Sequence, residues 1–196
     1  MSSLESRVRG GSPWMRQWGI NMVIHSNICW TDLRAPATAI NPPGQVSDPD
    51  WDTSKLGWLF DSSGTESLHI IVQLPHEWSE GSTLKPHIHW EKTTSAPGNV
   101  LWKISYQWSA HTTARTDAAV LSVTTPIVNS DTADTHMITS LGDISGAGYP
   151  ISAMLLITLS REGGDASDTY GADARLLEFD LHYQKDAGGS LAEYIK

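Results

Sequence analysis

The sequence predicts an all-β fold: an antiparallel two-sheet β-sandwich, jelly-roll-like, preceded by an extended N-terminal arm. Three observations lead there. Apolar residues recur at every second position through several short runs, which is the period of a strand with one buried face. Clusters of Gly, Pro, Ser and Asp separate the runs. Nine tryptophans stand against two phenylalanines, and no window sustains the period of an amphipathic helix.

The elements follow in chain order. Residues 1–19, MSSLESRVRGGSPWMRQWG, hold two consecutive glycines, a proline and too little apolar content to fold alone. They read as an arm outside a single sandwich domain spanning residues 20–196. Trp14 and Trp18 would share a face if the arm became helical, and Arg and Trp dominate binding hot spots. Arg7, Arg9, Trp14, Arg16 and Trp18 are therefore the expected partner-binding residues. Asp48, Asp50 and Asp52 alternate, but Pro42, Pro43 and Pro49 mark their surroundings as a turn region.

Strands come next. SLHIIVQL (67–74) points Leu68, Ile70, Val72 and Leu74 one way and His69, Ile71 and Gln73 the other. PHIHWEK (86–92) places Ile88 and Trp90 inward and His87, His89 and Glu91 outward. VLWKISYQW (100–108) is the clearest case, with Val100, Trp102, Ile104, Tyr106 and Trp108 inward. Pro126 pushes the end of AVLSVTTPIV (119–128) to a sheet edge. Ile138–Leu141 is ambiguous. ISAMLLITLSR (151–161) is apolar on both faces, so it belongs at a sheet centre or an interface. ARLLEFDLHYQ (174–184) alternates again, with Leu177, Phe179, Leu181 and Tyr183 inward and Glu178, Asp180 and His182 outward.

Length and charge narrow the function classes. A chain of 196 residues can bury roughly 70% of its unfolded surface in one domain, so it needs no metal or disulfide to fold. The single cysteine, Cys29, excludes an internal disulfide and reads as a buried structural thiol. No apolar run has signal-peptide or membrane-helix character, so the expectation is a protein made in the cytoplasm with no membrane partner. The net charge of −9 divides into about +2 on the arm and −11 on the remainder. Phosphate binding needs a basic surface, so an acidic body argues against nucleic acid.

His87, His89 and Glu91 pose the sharpest question. The stretch is similar to the first cupin motif, with Gly81 before His87-Ile88-His89 and Gly98 after Glu91, but the His–Glu interval is too short for that motif. On a strand rising ~3.3 Å per residue, His87 and Glu91 are about 13 Å apart. Bonds of about 2.0–2.2 Å then let one ion reach two of the three residues, not all. A third ligand would have to come from another strand, with His69, Glu178, Asp180 and His182 as candidates. The plain reading is a solvated face of a half-buried strand, with no cofactor. Asp165, Asp168 and Asp173 lack the spacing of a calcium loop, and no nucleophile elbow, phosphate loop or dinucleotide fingerprint is present. Nothing in these motifs points to an enzyme.

The stretches DLRAPATAINPPGQVSDPDWD (32–52), LPHEWSEGSTLKPHIHWEKTTSAPGNVLWKISYQW (74–108) and GGDASDTYGADARLLEFDLHYQ (163–184) resemble a family of virion structural proteins of tailed bacteriophages and prophages. The resemblance implies a structural component of a phage particle and no catalytic residues. The expected role is head decoration (cement) on the capsid surface, with the major capsid protein and further copies of the chain as partners. The alternatives are a tail, neck or fibre-associated module and a glycan-binding jelly roll whose exposed Trp stacks on sugar rings; a cupin-like metalloenzyme ranks behind them. Surplus apolar residues, Met154 and Leu156 opposite Leu155 and Ile157, add the expectation of a homo-oligomer, a trimer first.

Overall fold

The computed structural model describes residues 29–127 and 132–196. The arm, with Arg7, Arg9, Trp14, Arg16 and Trp18, lies outside the described residues. The described residues form ten strands: β1 (Cys29–Pro36), β2 (Asp50–Asp52), β3 (Gly57–Phe60), β4 (Thr65–Gln73), β5 (Lys85–Lys92), β6 (Gly98–Ser109), β7 (Ala119–Ile127), β8 (His136–Ser140), β9 (Met154–Glu162) and β10 (Ala174–Lys185). A short 3-10 turn at Ala37–Ala39 is the only helical element among the described residues.

The strands form two antiparallel sheets. The larger has six strands in the order β2-β3-β10-β5-β8, with β1 also paired to β10; the smaller has four in the order β4-β9-β6-β7. From β3 onward the chain crosses between the sheets at every step except the β6–β7 pair, and it lays β10 beside β3 and β9 beside β4. That double wrapping of early strands by late ones is the jelly-roll arrangement, and the predicted fold class holds.

The inward residues of both sheets form one core. Trp78, Trp90 and Trp102 are completely buried. Trp102 packs edge-on against Phe60 at 5.2 Å and against Trp90 at 5.6 Å between ring centroids. The Trp90 indole N–H donates to Thr139 Oγ1 at 3.0 Å, and that of Trp78 donates to Ser82 Oγ at 2.9 Å. These bonds satisfy the indoles of Trp90 and Trp78, whereas the buried N–H of Trp102 has no hydrogen-bond partner among the described residues. Alternation placed β4, β5 and β6 correctly, with Tyr106 half-buried at the margin. β7 is an edge strand, as Pro126 requires, and β9 is central between β4 and β6.

Two loop features lock the ends. Gly98 opens β6 at φ +150°, where a Cβ would come within 2.6 Å of the Tyr170 backbone. Arg161 is fully buried and donates to Asp168 through Nε and Nη2, both at 2.9 Å, and to the carbonyls of Phe60, Tyr170 and Ala172. Asp168 is thus the counter-ion of a buried guanidinium.

Three expectations are corrected. β10 carries a register shift between Leu176 and Glu178, so Leu176 is buried and Leu177 only partly so. The extra residue switches the parity of the strand at that point. Cys29 is exposed, at the start of the added strand β1. His87 is not solvated: it is 8% exposed, because β5 lies between β10 and β8 and their side chains crowd its outer face.

Candidate functional site

The outer face of the larger sheet carries an open cleft of about 650 Å³. Its lining comes from neighbouring strands in register. Asp180 lies opposite His87, Glu178 opposite His89, and His182 opposite Lys85 on the β10–β5 ladder. On β1, Asp32 lies opposite His182 and Arg34 opposite Asp180. On β8, Ser140 and Ile138 lie opposite His87 and His89. The β10 shift makes this convergence possible. It turns both Arg175 and Asp180 outward although an odd number of positions separates them, and regular pleating would put them on opposite faces.

Three side chains meet at the centre. His89 Nε2 lies 3.2 Å from His87 Nε2 and 3.2 Å from Asp180 Oδ2. His87 Nε2 lies 3.4 Å from Asp180 Oδ2. Among the described residues, His87, His89 and Asp180 form the group whose donor atoms could hold a metal ion. Of the third ligands suggested by sequence, Asp180 is the one in place. His182 stands close, its ring 4.2 Å from that of His87 between centroids, but its Nε2 is engaged with Asp32 Oδ1 at 2.6 Å. Glu178 is clasped by Arg34, whose Nη2 donates to Oε2 at 2.6 Å. His69 is on the outer face of the other sheet, beside a smaller recess of about 240 Å³.

Glu91 takes a different part. Arg175 Nη1 donates to Glu91 Oε2 at 2.7 Å and to Asp134 Oδ1 at 2.9 Å, and its Nε donates to Asp52 Oδ2 at 3.1 Å. Glu91 therefore belongs to an arginine–carboxylate cluster at one end of the face and is not a ligand candidate. Arg175 was invisible to sequence reasoning because strict alternation from Phe179 places it inward.

The electrostatics of the centre follow from crowding. Burial raises the Asp180 carboxyl to about 6, helped by a hydrogen bond and repulsion from Glu178. Burial also lowers the His87 imidazole, and His182 and His89 push it the same way. At the other end of the face, the Ser54 hydroxyl and backbone hydrogen bonds hold Asp52 down at about 2. Neutral forms are thus favoured at the crowded centre, and the ionised carboxylate is favoured at the Arg175 end.

One large aromatic borders the cleft. Trp30 shares its strand face with Asp32 and Arg34, is 46% exposed, and has the Lys85 ammonium 5.8 Å from its ring centroid.

No protein-family model matches the chain, and no curated protein matches it. Among solved structures, it is similar to the CBM35 of Cellvibrio japonicus Abf62 at 10% identity and a TM-score of 0.40, over 82% of this chain and 95% of that one. It is similar to TmCBM61 in complex with β-1,4-galactotriose at 12% identity and a TM-score of 0.33, over 78% and 86%. The CBM22-1–GH10 modules of Clostridium thermocellum xylanase 10B match at 12% identity and a TM-score of 0.37, where the match covers 84% of this chain but 27% of that one. Likeness at this level assigns no function.

Proposed function

We propose that this chain acts by binding, as a β-sandwich module that holds a polyhydroxylated ligand, a glycan, on the outer face of its larger sheet. Trp30 carries the reading: a half-exposed indole beside Lys85, itself part of a cleft lined by carboxylates, imidazoles and cations. The C–H face of a pyranose is apolar and fits flat against an indole, while its hydroxyls need the donors and acceptors that Arg34, Glu178, Asp32 and Lys85 supply. These groups are held on paired strands, so little ordering is needed on binding. A glycan array followed by calorimetry tests the reading. Trp30→Ala is expected to weaken binding about tenfold, or ~1.4 kcal/mol. An array of neutral and acidic glycans that retains none of them would refute it.

The sequence resemblance to tailed-phage virion proteins supports a second reading: a component of the phage particle, placed on the major capsid protein as decoration. A glycan-binding face and a place on a particle surface are compatible. The exposed Ile71 and the half-buried Leu156, side by side on the outer face of the smaller sheet, suit contact between copies, with a trimer as the expected state. Mass spectrometry of purified particles decides it. A copy number matching the capsid lattice supports decoration, a small fixed number points to a tail part, and absence from the particle refutes the reading.

A further inference from the structure

The contacts among His87, His89 and Asp180 have the dimensions of a coordination site. Their three donor atoms form a nearly equilateral triangle with edges of 3.2, 3.2 and 3.4 Å. Around a tetrahedral ion with bonds of about 2.0–2.1 Å, any two donors are about 3.3–3.4 Å apart. The triangle is therefore one face of such a tetrahedron. We propose that His87 Nε2, His89 Nε2 and Asp180 Oδ2 bind a divalent transition metal of the zinc class, with the fourth position open toward the cleft.

The groups behind the ligands fit this role. His89 Nδ1 lies 2.8 Å from His136 Nε2, so a proton on Nδ1 donates to His136 and leaves the Nε2 lone pair free for a metal. Asp180 is 5% exposed, and no N–H or hydroxyl of the described residues donates to its buried Oδ1, so this carboxylate keeps acceptor capacity for a cation. Two imidazole nitrogens beside one carboxylate select against calcium and magnesium, which take oxygen donors, and suit zinc and its neighbours. All three ligands sit on paired strands, in register between His87 and Asp180, so the site is preformed.

The inference stands on this triangle and not on the glycan reading, and the test separates the two. The full chain is stripped with a chelator and titrated calorimetrically with Zn²⁺, and Co²⁺ is added separately for its visible absorption. One ion per chain is expected, with the intense bands of tetrahedral cobalt. The double variant His87→Gln, His89→Gln is expected to lose more than about a hundredfold in affinity, and His136→Gln about tenfold, within the range that outer-shell changes cost. Trp30→Ala and His69→Gln should leave zinc affinity unchanged, whatever Trp30→Ala does to glycan binding. Wild-type protein that takes up no zinc at micromolar concentration overturns the proposal, as does a folded double variant that binds it undiminished. Should the double variant fail to fold, Asp180→Asn and the exposed His136→Gln decide the matter by the same titration, and unchanged affinity in both overturns it.

Discussion

The outer faces of the two sheets are built by the same alternation and carry different chemistry. On the smaller sheet the outward positions at the middle of neighbouring strands hold His69, Ile71, Ser105, Gln107, Leu156 and Thr158, with Arg115 beside them and one ion pair, Lys103 with Glu162, toward the end of the face. On the larger sheet they hold Asp32, Arg34, Lys85, His87, His89, Glu178, Asp180 and His182. A neutral face costs little to leave in water and little to cover with another surface. A face dense in ionisable groups crowds like charges and desolvates some of them, as the raised carboxyl of Asp180 records. A sheet accepts that burden where the groups have a ligand or one another to engage, so the difference between the faces locates the site.

The largest expected effect belongs to what the faces share. Trp102→Ala should cost about 3–5 kcal/mol in denaturant unfolding, because it empties the centre of the single core. A variant of full stability would mean that the two sheets do not depend on a common core, and the comparison between their outer faces would lose its frame. Next is Arg175→Met, which leaves Asp52 and Glu91 without their cation, while Asp134 keeps Lys55. The expected loss is about 2–3 kcal/mol, below the ~3–5 of a fully buried pair because the carboxylates keep partial access to water. The matching change on the other face, Ser105→Ala with Thr158→Val, should stay within ~0.5 kcal/mol. Equal losses from the two would erase the asymmetry.

Smaller effects sharpen the contrast. Ile71→Lys should leave the unfolding midpoint unchanged within error and move the full chain toward monomer in light scattering, as the trimer reading requires. The smallest effect is one of pH. Asp52 is depressed from 3.8 to about 2, so its contribution to stability is complete above the higher value and is lost as the pH falls through the lower one. Acid unfolding of Asp52→Asn should therefore lack the part of the wild-type decline that falls between those two values. Superimposable acid profiles would show that Asp52 contributes nothing through its charge.

Much of the sandwich could be read directly. Alternation over β4, β5 and β6 identified the apolar residues that they turn to the core, though not the burial of His87, and Pro126 marked an edge, because both signals lie within a few residues of chain. β1, β2 and β3 escaped notice because they are short, or carry Asp and Arg at their outward positions, and their pairing is with β10 or with one another. For the site, parity placed His87, His89, Asp180 and His182 outward, and nothing local said that they meet.

Two tertiary facts decided that. The jelly-roll order brings β10 against β5, so residues nearly a hundred positions apart face each other across one ladder. The shift at Leu177 then resets the pleat so that Arg175 claims Glu91 and leaves Asp180 to the histidines. Burial pattern along a strand is a property of the chain with its nearest neighbours, and sequence determines it. Which outward side chains become neighbours depends on strand order and register, and those are set by packing the whole core at once.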